Sequence, residues 1–344
     1  MLPRERVFAA LDFSKPDVVP LEYHPSPAGA YEHGERLRAL WERYPGDFGD
    51  HRDFPLAKPD PRWIAPDGRY REVRRDEWGV LWQHLIFGVA GHPLERPLDD
   101  WSNLVRFAPP PPPAASGREF AAEQQRARAH QRTFFLKSGW ISILEVMHAL
   151  RRFDDVLMDI GADTVEVNRL ADLITEHQLG VVHYLLKRGV DAVQFGDDFG
   201  AQSTLILSLK TWRRFFQPRY QRLMEPIHRA GKKVFFHTCG RARMLLEDLA
   251  GLGVHAIWPQ LNVYDEHELA QTCRSLRMAI ALHPDRGSLM IGSAPEQVRQ
   301  AVERLAGVFA VAGGGAWFYI EIDSGFPFES VQALIESVGR LRGL

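Results

Sequence analysis

Cysteine is scarce in this chain: two residues in 344, Cys239 and Cys273. Two thiols cannot build a disulfide framework, and a bridge between them is not expected in a cytosolic protein. Long hydrophobic runs are missing as well. The longest, Val308 to Ile320, is broken by Gly313-Gly314-Gly315 and is too short to span a bilayer. The opening Met1-Leu-Pro-Arg-Glu-Arg lacks the apolar core of a signal peptide, so a soluble, cytoplasmic protein is expected. Nor is there an excess of charge of either sign: 42 Lys and Arg against 44 Asp and Glu leave a net charge of −2. Neither nucleic acid nor an anionic membrane is therefore expected as a partner. The densest basic stretch, Arg118 to Arg132, is interrupted by Glu119 and Glu123 and reads as a solvated helix face. No glycine-rich phosphate fingerprint follows an early strand, which argues against a dinucleotide-binding fold.

What the chain does contain is a series of short apolar runs rich in Val, Ile and Phe, each ending in polar residues and followed by helical periodicity. That alternation marks βα units around a buried parallel sheet. Strands are expected at Val18–Tyr23, Arg132–Lys137, Ala192–Gly196, Lys233–His237, Ala256–Pro259, Met278–Leu282 and Trp317–Glu321. A weaker eighth is expected near Asp47–Gly49, after a helix around Arg36 to Tyr44. Eight such units close into a (β/α)8 TIM-type barrel, here a single α/β domain over residues 1–344. The segment of about 51–131 breaks the alternation and reads as a long insertion after the second strand. Within it Asp76 to Trp82 suggests a β-hairpin, and Pro109 to Pro113 a rigid spacer leading into a helix.

The sharpest chemical signal is Val234-Phe235-Phe236-His237-Thr238-Cys239-Gly240. Residues i and i+2 of a strand point the same way, so an imidazole and a thiolate arrive together at the strand's C-terminal end. Zinc accepts that mixture of nitrogen and sulfur, and a catalytic site needs only three protein ligands and an open position. Cys273 sits among Leu269, Ala270 and Leu276 on a helix and reads as a core residue. A third ligand must come from another strand end: Glu321 or Asp323 on the last strand, or His283 on the one before. A second signal is Phe195-Gly196-Asp197-Asp198-Phe199-Gly200-Ala201-Gln202, where two carboxylates and an amide follow a strand. His24, Lys137 to Trp140 and Glu145 also reach the expected mouth of the barrel.

Several of these motifs are similar to those of the uroporphyrinogen decarboxylase-like superfamily, and within it to its zinc-dependent methyltransferases acting on methylated corrinoid proteins or other methyl donors. The resemblance is carried by Arg4 to Leu11 with Pro16 to Pro20, and by Asp76-Glu77-Trp78-Gly79-Val80. It continues through Gly189 to Asp198 with Gln202, Trp212, Phe215 and Pro218-Arg219-Tyr220, and ends in His237-Thr238-Cys239-Gly240. It implies a (β/α)8 barrel in which His237 and Cys239 are zinc ligands. It also places a distal ligand about six residues before the proline that here is Pro327, a position held by Glu321. Three departures stand out. The arginines that hold propionates in uroporphyrinogen-decarboxylating members are missing between Pro20 and Gly34. The usual distal cysteine is a carboxylate here, and the usual Gly-Gly before the Asp of the seventh-strand motif is Leu282-His283.

The resulting expectation is a methyltransferase with zinc held by His237, Cys239 and Glu321, His283 being the reserve ligand. It would move a methyl group between a small methylated compound or a methyl-corrinoid protein and a thiol or corrinoid. Asp198 and Gln202 would orient substrate and His24 would donate or accept a proton. Two other classes fit the same residues. One is a metal-independent decarboxylase or lyase of a small carboxylated substrate; the other is a non-catalytic barrel that binds a corrinoid or tetrapyrrole.

Overall fold

The computed structural model describes residues 1–344. The strands are β1 Leu21–Pro25, β2 Glu72–Arg75, β3 Leu81–His84, β4 His92–Glu95, β5 Lys137–Ile141, β6 Ala192–Gly196, β7 Lys233–Thr238, β8 Ala256–Pro259, β9 Ala279–Leu282 and β10 Ala316–Ile322. Seven of them form one curled sheet in the order β1-β10-β9-β8-β7-β6-β5. Every pairing in it is parallel. Helices cross between successive strands, as parallel pairing requires.

The eighth strand expected near Asp47 is not a regular strand, yet the segment stands where one is needed. The Asp47 N–H donates to the Leu21 carbonyl at 2.7 Å, and the Phe135 N–H donates to the Asp47 carbonyl at 3.1 Å. Asp47 therefore links the β1 side of the sheet to the segment leading into β5. Its buried carboxylate accepts from the Leu21 N–H at 2.8 Å and from Arg342 at 2.5 Å, and it also pairs with Arg6. Asp47 thereby ties the N-terminal helix Pro3–Leu11 and the end of the C-terminal helix Phe328–Leu341 to the seam. A strand is missing because Pro45-Gly46 and Gly49 flank Asp47 and leave no run of extended residues.

The second expected strand also needs correction. Residues 131–134 turn off the helix Gly117–His130, with the Thr133 and Phe134 N–H groups bonded to the His130 carbonyl. Regular pairing begins only at Lys137. The apolar Phe134-Phe135-Leu136 run marks the entry to β5 rather than its body. Inside β5 the register slips between Ser138 and Ile141, where Gly139 takes φ +90°, a backbone state that disfavours a side chain.

Strand alternation divides the apolar residues into two cores. The larger lies between sheet and helices. The smaller fills the interior, where Phe135, Phe235, Trp317 and Tyr319 interdigitate with Ala192, Ala256, Ala279 and Ala281. Large side chains opposite alanines pack the concave side of the sheet, and each buried ring contributes roughly 2–3 kcal/mol. The hairpin expected at Asp76–Trp82 is present: Asp76 accepts from the Val80 N–H and from Trp82 Nε1 at the β2–β3 turn, and β4 makes a three-stranded antiparallel sheet. The proline run packs Pro112 on Gly180 of the long helix Val165–Arg188. No helix is long and apolar enough to cross a membrane.

Candidate metal centre

The same alternation that packs Phe235 and Trp317 inward carries on to the strand ends. His237 and Cys239 on and after β7, His283 after β9, Glu321 on β10 and His24 on β1 all share the inward parity. The register sets Gly196 of β6 beside His237 and His24 beside Glu321. All of these groups end at the C-terminal rim of the sheet, where (β/α)8 enzymes build their sites.

His237 is buried and its ring is oriented from behind: Nδ1 lies 2.9 Å from the Trp258 carbonyl. A carbonyl only accepts, so Nδ1 carries the proton and the Nε2 lone pair faces the site. Nε2 stands 3.3 Å from Cys239 Sγ and 3.5 Å from Asp198 Oδ1. Asp198 Oδ1 also accepts the Cys239 N–H at 2.8 Å, which locks the β6 and β7 loops together. The two loops touch at Gly200 and Gly240, the latter at φ +71°, where neither position has room for a Cβ. Asp198, His237 and Cys239 are the group of three in this chain able to hold a metal ion, their donor atoms all within 4.8 Å of one another. A tetrahedral zinc at ordinary bond lengths needs N···S and N···O separations of roughly 3.4–3.6 Å. The Nε2···Oδ1 distance of 3.5 Å falls in that range and the Nε2···Sγ distance of 3.3 Å lies just short of it. Burial lowers the His237 pKa to about 4, so the ring is neutral and ready to donate its lone pair. Burial and the neighbouring Asp198 push the Cys239 thiol up to about 12. A metal bound here must displace that proton.

The expected third ligand stands elsewhere. Glu321 contacts His283 Nε2 at 3.1 Å and Arg286 at 3.2 Å, and it is not part of the three-donor group. His283 is committed too, because Trp258 Nε1 donates to its Nδ1 at 3.1 Å and uses that lone pair. Asp323 lies 3.6 Å from Arg286. Asp197 has a different task from its neighbour. Fully buried, it accepts the Ile143 and Glu145 N–H groups at 2.7 Å each and the Tyr220 hydroxyl, so it anchors the helix Leu144–Leu150. Glu145 in turn contacts His148 at 2.8 Å and accepts the Asp198 N–H at 3.4 Å. Gln202 is exposed and does not line the cavity at His237. His24 stacks on Tyr319, with ring centroids 5.5 Å apart, in an adjoining cavity.

A cavity of about 380 Å³ opens onto His237 and Cys239, walled further by Trp258, Gln260, Asn262 and Arg286. Trp258 and Arg286 were not foreseen from the sequence. Trp258 was legible in principle, since Ala256-Ile257-Trp258 puts it at inward parity on β8; Arg286 lies in a loop and carries no such signal.

Fold and site define an α/β protein with a curled parallel sheet and a candidate metal centre at its C-terminal rim. The family model described as Uroporphyrinogen decarboxylase (URO-D) matches residues 132–340, and the chain belongs to that family. Among solved structures, a methyltransferase from Methanosarcina mazei is similar at 14% identity and TM-score 0.66, over 99% of each chain. A B12-independent methionine synthase from Shewanella sp. W3-18-1 aligns at 10% identity and TM-score 0.45, over 91% of this chain and 86% of that one. The dihydropteroate synthase from Anaplasma phagocytophilum aligns at 18% identity and TM-score 0.37, over 52% and 70%. None of the curated proteins matches the sequence.

Proposed function

We propose that this chain is a zinc-dependent methyltransferase, with the metal held by His237, Cys239 and Asp198 rather than by Glu321. The observation that carries the reading is the convergence of one nitrogen, one sulfur and one oxygen donor at zinc-compatible spacing beside an open cavity. Membership of the URO-D family and the fold shared with a methyltransferase support the reaction class. We take the sheet to be a (β/α)8 barrel sealed by Asp47, with about 51–131 inserted after the second barrel strand.

Zinc held by His237, Cys239 and Asp198 would keep a position open and would supply Lewis acidity there, toward a substrate thiol or the oxygen of a methyl ether. The remaining work falls to the chain. Trp258 holds His237 in the right tautomer through its carbonyl and shields the ring with its indole, whose centroid lies 3.9 Å away. Asp198 fixes the Cys239 backbone, and its carboxylate would serve as a ligand to the ion. His24 exchanges a proton with the thiol or the leaving oxygen through a ring nitrogen. With a methyl ether as donor and a thiol as acceptor, the C–O bond breaks, a C–S bond forms, and the thiol proton ends on the leaving oxygen. A corrinoid protein is the alternative source of the methyl group. Incubation of purified enzyme with isotopically labelled methyl donors and a thiol tests the reading. Zinc-dependent appearance of labelled thioether supports it; equal turnover of a carboxylated substrate by metal-free protein would favour a decarboxylase or lyase instead.

A further inference from the structure

A second cavity, of about 240 Å³, shares Trp258 with the first and is walled by Phe48, Trp140 and Tyr319. Its floor carries a charge pair buried in the barrel interior. Lys137 Nζ lies 2.6 Å from Glu22 Oε1, and Trp317 Nε1 donates to the other Glu22 oxygen at 2.9 Å. The Lys137 ammonium also sits 5.8 Å from the centre of the Phe48 ring and 5.4 Å from that of Tyr319. An aromatic box with a carboxylate would ordinarily suit a quaternary ammonium ligand. Here the chain's own lysine occupies that role, so the box repels cations, and an anion would have to compete with Glu22 for Lys137.

Two residues that line this cavity carry a buried polar atom with no partner: Gln194 Oε1 and the Tyr319 hydroxyl. Their residues are only 4% and 1% exposed. One N–H of the Gln194 amide donates to the Phe195 carbonyl at 2.6 Å, while its oxygen remains an acceptor waiting for a donor. Buried polar groups in native proteins are nearly always satisfied, so an unmet acceptor at the edge of an aromatic cavity describes its occupant. Size narrows the choice further. A cavity of about 150 Å³ holds benzene, so the volume here suits one substituted ring.

We propose that this second cavity is a subsite for a single uncharged aromatic ring bearing a hydroxyl or N–H, which donates to Gln194 Oε1. Binding at this subsite stands on its own; the further statement that the ring is the leaving half of the methyl donor rests on the methyl-transfer reading above. The subsite then makes an aromatic methyl ether with a ring hydroxyl the donor class.

The test is calorimetric titration of the intact chain with phenol, with its near-isostere toluene, and with tetramethylammonium. Phenol is expected to saturate one site and to bind about tenfold more tightly than toluene, the worth of one buried hydrogen bond. Tetramethylammonium is expected not to bind. Gln194→Leu should bring phenol down to the toluene affinity and leave toluene unchanged, with near-ultraviolet circular dichroism confirming the native fold. Should that variant misfold, the phenol-to-toluene ratio in the natural chain and in Tyr319→Phe decides, the latter retaining part of the preference. Equal binding of phenol and toluene, a cation that binds as well as phenol, or no saturable binding would each overturn the subsite. Phenol binding with no methyl transfer from 2-methoxyphenol would keep the subsite and refute the donor assignment alone.

Discussion

Replacing Asp198 with Asn separates the two possible third ligands more sharply than any other substitution. Asparagine keeps an oxygen able to accept the Cys239 N–H, so the β6 and β7 loops should remain joined. What is lost is the negative charge facing His237 Nε2 and Cys239 Sγ. Structural zinc sites with four ligands bind with about 10–16 kcal/mol, or roughly 3 kcal/mol per ligand. Replacing one anionic ligand by a neutral oxygen should then weaken zinc binding by roughly 100-fold. Glu321→Gln should cost less than about tenfold, because Glu321 gives Oε1 to Arg286, holds Oε2 3.1 Å from His283, and stands outside the three-donor group, so that it would act on the metal only from a distance. Competition against a chromophoric zinc chelator reads both affinities in one assay. A Glu321→Gln protein that loses zinc while Asp198→Asn retains it would refute the assignment of Asp198 and restore the ligand expected from the sequence.

Three other outcomes follow from the same structure. Zinc uptake near pH 7 should release about one proton per chain, from Cys239, because His237 is already neutral with its pKa lowered to about 4 by burial. Between about pH 6 and 9 the apparent affinity should therefore rise roughly tenfold per pH unit, and calorimetry in buffers of different ionisation enthalpy checks both the count and the sign. Lys137→Met should destabilise the fold by about 3–5 kcal/mol by stranding the buried Glu22 carboxylate, and pairing it with Glu22→Gln should recover much of the loss in chemical denaturation. Uroporphyrinogen should not be decarboxylated above a heat-killed control, since the mouth segment from Pro20 to Gly34 has no arginine to hold propionates.

The curled parallel sheet was legible because its signals are periodic. Val234-Phe235-Phe236 and Trp317 to Ile320 announce buried strands by composition, and the parity of His237 and Cys239 then follows from a repeat of two. Where the periodicity fails, so did the reading. The seam at Asp47 is one residue long and is held by Arg6, Arg342 and two backbone bonds, partners scattered from one end of the chain to the other. β5 begins later than its apolar run suggests, because Phe135 enters the interior before the chain pairs. The candidate metal site shows the same division. Two candidate donors on one strand stand out from spacing, whereas a third candidate depends on which of several strand-end carboxylates the fold brings beside them. Glu321 looked suitable by position, yet Arg286, from a loop without pattern, lies in contact with it. Asp198 was singled out, but for substrate, because its approach to Cys239 depends on the close meeting of Gly200 and Gly240. The Glu22–Lys137 pair joins residues more than a hundred positions apart and left no local trace.

The most direct test of the account is elemental analysis of the freshly purified protein beside Cys239→Ala, with each sample measured again after exposure to zinc and removal of the excess. The account predicts about one zinc in the natural chain and almost none in the variant under either condition. A natural chain that holds no zinc even after exposure, or a Cys239→Ala protein that holds as much, would contradict it.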